Sequence, residues 1–217
     1  MSRLRRAADG KPNPESTRDA LLRITVAHLD ESGEEGIRLE SILAEADCSP
    51  SSLYHHFGNL RGLIDEAQIV RFSRNLAERN QMVRDRLETV ETRDELVEFV
   101  VGITRRLLSN DGKGARSARI NALGSTYKRP DFAKRMGLAL QENCDDLADA
   151  LRVPQLRGLI PASVDRHALA LWLQSIFFGR ALVELLDNDA IGNQWNDITV
   201  RSVLVALLGP EGLDAPM

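Results

Sequence analysis

The stretch IRLESILAEADCSPSSLYHHFGNLRGL, residues 37–63, decides how the chain is read. Leu39, Ile42, Leu43 and Ala46 recur at i, i+3, i+4 and i+7, one face of a short helix. Asp47, Cys48 and Ser49 break that period. Ser49 then offers an N-cap and Pro50 a first helical residue, because proline lacks an N–H that the first turn leaves unpaired anyway. The helix so opened, 51–57, has Leu53 and Phe57 at i, i+4 for the core and stops at Gly58. It is too short to stand alone in water. Asn59 is placed to cap a further helix that begins at Leu60. Two helices joined by a turn of about three to four residues form a helix-turn-helix. The second presents Ser51, Ser52, Tyr54, His55 and His56, small or hydrogen-bonding groups suited to a surface that meets DNA.

At these residues the chain resembles the tetracycline-repressor-like (TetR) family. The run Ala46-Asp47-Cys48-Ser49-Pro50-Ser51-Ser52-Leu53-Tyr54-His55-His56-Phe57-Gly58-Asn59, followed by Leu63, looks like that family's signature. Gly33, Gly36, Ile37 and Ile42 fall at its spacings without a gap, and the match covers about residues 16–66. The resemblance implies phosphate and base contacts from Ser51, Ser52, Tyr54, His55 and His56. Three positions depart from the pattern. Asp47 stands where a turn glycine is usual, and tolerates left-handed backbone better than most residues. Arg38 stands where Ser or Thr often caps, and could contact a phosphate instead. Leu60 replaces a usual cation, for which Arg61 substitutes in part. Together these predict weaker non-specific affinity. Glu40 reads as a solvated acid on the helix surface rather than an acceptor for cytosine N4.

A length of 217 residues is ample for a buried core in one or two domains, and no apolar run is long enough for a membrane span. Cys48 and Cys144 are far apart and without metal-ligand spacing, so a reducing cytoplasm is the expected setting. The net charge of −4 runs against nucleic-acid binding, as does residues 1–62, where eight Lys/Arg face ten Asp/Glu, or −2. The motif outweighs the charge if those acids lie away from DNA. Residues 1–15, with three arginines and then Gly10, Pro12 and Pro14, read as a disordered basic arm. No Gly-rich phosphate loop, His-Glu-x-x-His, Cys-x-x-Cys or Gly-x-Ser-x-Gly elbow is present, and the four histidines are scattered. Neither an enzyme, a metal site nor a cofactor is expected.

The remaining pattern is helical throughout. A first helix over about 16–32 carries Leu22, Val26 and Leu29 on one face, with His28 beside it as a half-buried structural histidine. Leu63, Ala67 and Val70 continue the packed face of a helix from 60 to beyond 86. Thr92 to Glu95 is a capping box, and further helices follow over about 93–110, 115–125, 130–152, 165–187 and 195–208. Val153-Pro154 is read as a stop. The fold expected is all-α, about nine helices: a three-helix helix-turn-helix DNA-binding domain over 16–66, then a helical effector-binding and dimerisation domain over 67–217. Phe72, Met82, Phe99, Ile103, Tyr127, Trp172 and Phe177 are candidates for an apolar effector pocket, although core packing is their bland alternative. The last two helices are too apolar for a monomer surface, and the resemblance implies that they pair with a second copy through Trp172, Ile176, Leu182, Trp195, Val203 and Leu207. The chain is thus read as a cytoplasmic, homodimeric transcriptional regulator, a repressor of a palindromic operator under small-molecule control. The alternative is a helical dimeric small-molecule-binding or adaptor protein without DNA binding.

Overall fold

The computed structural model describes residues 15–74, 76–186 and 188–209; the basic arm expected before Glu15 lies outside them. Among the described residues all regular structure is helical, in two compact units, Met1–Gln68 and Ile69–Met217.

The first unit is built on α1, Thr17–Ser32, whose N-cap Ser16 accepts from the Asp19 N–H. Its stripe of Leu21, Leu22, Ile24, Val26 and Leu29 is buried. A 3-10 turn at Glu34–Gly36 leads to α2, Leu39–Glu45, and then to α3, Pro50–Phe57. Ile42 of α2, Leu53 of α3 and Leu63 and Ala67 of α4 (Leu60–Ser73) are fully buried against that stripe. Burying a Leu or Ile is worth about 1.5–3 kcal/mol, and this shared core is what holds the eight residues of α3 helical. Val70, expected on the same face, is 42% exposed.

The second unit contains α5 (Leu76–Thr89), α6 (Arg93–Leu108), α7 (Lys113–Gly124), α8 (Pro130–Ala150), α9 (Arg152–Leu156), α10 (Arg166–Val183) and α11 (Asp189–Leu208). The capping box is formed: Thr92 Oγ1 accepts from the Glu95 N–H, and the Glu95 carboxylate accepts from the Thr92 N–H. Eleven α-helices are present among the described residues; counting α4 with α5 and α8 with α9 gives the nine read from the pattern. Pro154 does not stop a helix but sits in the first turn of α9, where its missing N–H costs nothing. The last helix begins at Asp189, not near 195, because Asn188 caps it by accepting from the Ile191 N–H.

One core cluster joins α5, α6, α10 and α11 through Val83, Leu87, Leu96, Val100, Leu169, Val203 and Leu207. Another gathers Phe72, Leu76, Ala122, Phe132 and Met136. Between apolar layers lies a buried ion pair. Arg116 donates to Glu184 and to the carbonyls of Leu107 and Ser109, so each nitrogen of this guanidinium has a partner. No helix of the described residues is long and apolar enough to cross a membrane.

Candidate functional site

The step between α2 and α3 is set by two residues. Asp47 adopts φ 45°, the left-handed conformation for which the resemblance implies a turn glycine at this position, and Ser49 turns extended before Pro50 opens α3. No side chain caps α3; the Ser49 hydroxyl instead pairs with those of Ser51 at 2.7 Å and Ser52 at 3.2 Å. At the far end Gly58 has φ 75°. Gly62 lies so close to the Phe57 carbonyl that a Cβ there would stand 2.1 Å from the oxygen. The Asn59 side chain closes the step by accepting from the Gly62 N–H at 2.8 Å. Thus α3 is fixed at both ends, with Leu53 inward and Ser51, Tyr54, His55 and His56 exposed. The His55 and His56 rings meet edge-on, 5.1 Å apart, and form no metal-ligand cluster among the described residues.

Ionisable side chains of the first unit are largely engaged. Arg61 pairs with Glu34 at 3.1 Å, and His28 with Glu45 at 2.7 Å. Arg23 pairs with Glu15 through two hydrogen bonds. The Arg38 guanidinium donates to the carbonyls of Glu35 and Ile37, closing the 3-10 turn in place of a side-chain cap on α2. Exposed ion pairs are worth only about 0–1 kcal/mol, so Arg61 can be drawn from Glu34 to a phosphate at small cost. Burial, followed by the neighbouring Asp47, pushes the Cys48 thiol up, away from thiolate character.

Asp47 is exposed immediately before α3. Asp47→Gly is expected to stabilise the first unit by up to about 1 kcal/mol by relieving the left-handed backbone. It also removes an acid beside α3, so a duplex DNA that docks on α3 should bind severalfold more tightly. Fluorescence anisotropy with a DNA duplex checks this; unchanged affinity would place Asp47 off the binding face.

The second unit encloses an apolar cavity of about 90 Å³ between α5, α6, α8, α10 and α11. Phe99, Ile103, Leu147, Leu173 and Phe177 line it, with Arg79 and Asn80 among the polar groups. The buried Asn80 Oδ1 has no partner among the described residues. A wider cleft of about 470 Å³ shares Arg79, Ile103, Leu107 and Phe177 with the cavity and adds Met82, Arg116 and Arg119.

Solved structures with this architecture are available for comparison. A proposed TetR-family transcriptional regulator from Mesorhizobium loti superposes with a TM-score of 0.64 at 16% identity, covering 87% of this chain and 95% of that one. A proposed transcriptional regulator from Rhodococcus sp. RHA1 gives 0.62 at 21% identity, over 93% and 100% of the two chains. A TetR-family transcriptional regulator from Cytophaga hutchinsonii gives 0.61 at 12%, over 90% and 98%. The chain has the TetR fold. No protein-family model and no curated protein matches its sequence.

Within the TetR fold, the seven residues expected at an effector pocket separate. Phe99, Ile103 and Phe177 line the cavity and Met82 the adjoining cleft. Phe72 is buried in the cluster with Phe132, Tyr127 is 77% exposed, and Trp172 is 38% exposed. The six residues expected at a subunit interface also divide. Trp172 and Leu182 face outward, and the Trp195 ring lies against Gly179. Ile176, Val203 and Leu207 line the cavity of their own chain. The reason lies in α11: its buried face is Thr199, Val200, Val203, Leu204 and Leu207, which leaves Ile191 and Ile198 exposed. Nothing in the sequence pattern marks Arg79, Asn80 or Arg119 as lining residues. In helices otherwise rich in charge, an arginine reads as solvated.

Proposed function

We propose that the chain is a DNA-binding transcriptional regulator of the TetR type, a homodimeric repressor whose operator affinity responds to a small molecule held in the second unit. The observation that carries this reading is α3. It is pinned at both ends, buried only through Leu53, and turns the hydrogen-bonding side chains of Ser51, Tyr54, His55 and His56 to solvent, with Ser52 half-buried beside them. Such a helix fits the major groove, where hydroxyl and imidazole groups can reach phosphates and base edges. Arg38 and Arg61 flank it as phosphate contacts once released from their present partners. Two copies would read half-sites about one helical turn apart. The coupling element is α4, which starts in the first unit and ends in the second. A ligand that displaces its C-terminal end would alter the separation of the two heads.

The test is a titration of the purified protein against its own upstream DNA at two salt concentrations. Saturable binding that weakens with salt is expected, because each phosphate contact contributes about 0.9 to the logarithmic salt slope. Tyr54→Phe and His56→Ala should each weaken binding by about three- to tenfold, the worth of one hydrogen bond. Unchanged affinity in both would remove these residues from the interface.

A second reading, a dimeric ligand-binding or adaptor protein without DNA binding, is favoured by one observation. No lysine or arginine lies between residues 39 and 60, and Arg38 and Arg61 are both engaged within the chain. Absence of binding at low salt would select it.

A further inference from the structure

Four arginines inside the second unit, Arg116, Arg119 and Arg180 buried and Arg79 half-buried, are of two kinds. Arg116 is neutralised by Glu184 and two carbonyls, and Arg180 donates to the Leu108 carbonyl. Arg79 and Arg119 differ. Neither has a carboxylate or carbonyl partner among the described residues, although both line the same cleft and Arg119 is only 8% exposed. The Arg79 guanidinium lies over the Phe177 ring, 5.4 Å from its centroid. The acids that border the cleft, Glu78 and Asp111, are exposed at its rim, and Glu184 is consumed by Arg116. Buried charges are normally paired, because desolvating a lone cation is costly. Desolvation, with Arg119 as a like charge, lowers the Arg79 guanidinium to about 10, and burial lowers Arg119 as well. Two cations are therefore held together, partly stripped of water, at the mouth of an apolar cavity.

We propose that this site takes an organic carboxylate with an apolar body: the carboxylate on Arg79 and Arg119, the body passing Phe177 into the cavity lined by Phe99, Ile103 and Leu147. A carboxylate suits the planar guanidinium fork through paired, charge-assisted hydrogen bonds. It also cancels the repulsion between the two arginines, so binding relieves a cost that the fold already carries. A neutral ligand of the same shape gains the apolar contact but leaves both cations unpaired. This names the chemistry of the effector and rests on the regulator reading only for its consequence at DNA.

The experiment is calorimetric titration of the full chain, without DNA, by octanoate, 1-octanol and octylamine. Octanoate should bind at least about tenfold more tightly than 1-octanol, a difference one charge-assisted pair supplies, and octylamine should not bind. Arg119→Met and Arg79→Met should each lower octanoate affinity about tenfold or more, while leaving the 1-octanol affinity within about twofold. Arg119→Met should melt no lower than the parent, since a buried cation without a carboxylate partner has been replaced by an apolar chain of similar length. Arg106→Met, at the exposed rim, should change nothing. Equal binding of octanoate and 1-octanol by the unaltered protein would overturn the proposal without recourse to any variant. Retention of octanoate binding in both methionine variants would overturn it too. Octanoate that binds but leaves operator affinity unchanged keeps the carboxylate site and counts against the regulator reading alone.

Discussion

A chain carrying Leu182→Glu and Ile198→Glu is expected to be monomeric and to lose at least about a hundredfold in operator affinity. Leu182 on α10 and Ile198 on α11 are 68% and 63% exposed, and Leu171, Leu185, Leu186 and Ile191 on or beside the same two adjacent helices are also exposed. A monomer seldom leaves so much large apolar surface on one pair of helices in water. In a twofold interface each patch meets its own copy, so a single substitution introduces two carboxylates that must be desolvated facing an equivalent surface. The chain's own core is untouched, because neither side chain is buried within it. Far-UV circular dichroism should therefore be unchanged while analytical ultracentrifugation reports one chain. The loss at DNA follows from geometry: docking the second head is an intramolecular step only while the two heads are joined. A dimer that persists in the double variant would place the interface elsewhere.

The division between what the residues announced and what they concealed follows the range of the interactions. The first unit was legible because its determinants are local. The break at Asp47, the Ser49-Pro50 start, the Gly58 stop and the Asn59 cap each act within about four residues, and Leu53, Leu63 and Ala67 fall on helical spacings. The capping box at Thr92 and Glu95 was legible for the same reason. In the second unit the helices could be read, but not their orientation. The α10 sequence is apolar nearly all round, so periodicity alone cannot tell which of Trp172, Ile176 and Leu182 faces inward. The packing on α6 and α11 decides it, and turns Ile176 to the cavity. Nor can sequence separate Arg116, paired with a glutamate sixty-eight positions away, from Arg119 one turn later, which has no such partner. That distinction is tertiary, and the candidate ligand chemistry rests on it.

Leu53→Ala should unfold the first unit selectively and abolish DNA binding. Leu53 is the one residue of α3 that is completely buried, and α3 has only eight residues with no side-chain cap. Leucine-to-alanine changes at such sites cost about 2–5 kcal/mol through lost transfer energy and the cavity left behind. The first unit ends at Gln68, a size at which a single core is marginal, so a loss of this order approaches its whole stability. The two tryptophans, Trp172 and Trp195, both belong to the second unit, which separates the readouts. Denaturation followed by tryptophan fluorescence should keep its midpoint, whereas amide hydrogen exchange over α1 to α4 should lose protection at once. Ligand binding in the second unit should survive, while operator binding disappears because no α3 remains to present Ser51 and Tyr54. If the tryptophan midpoint falls together with the protection of α1 to α4, the two units unfold as one cooperative body. The stability of α3 is then borrowed from the second unit, and a ligand bound there would strengthen the first unit by mass action before it moved any helix.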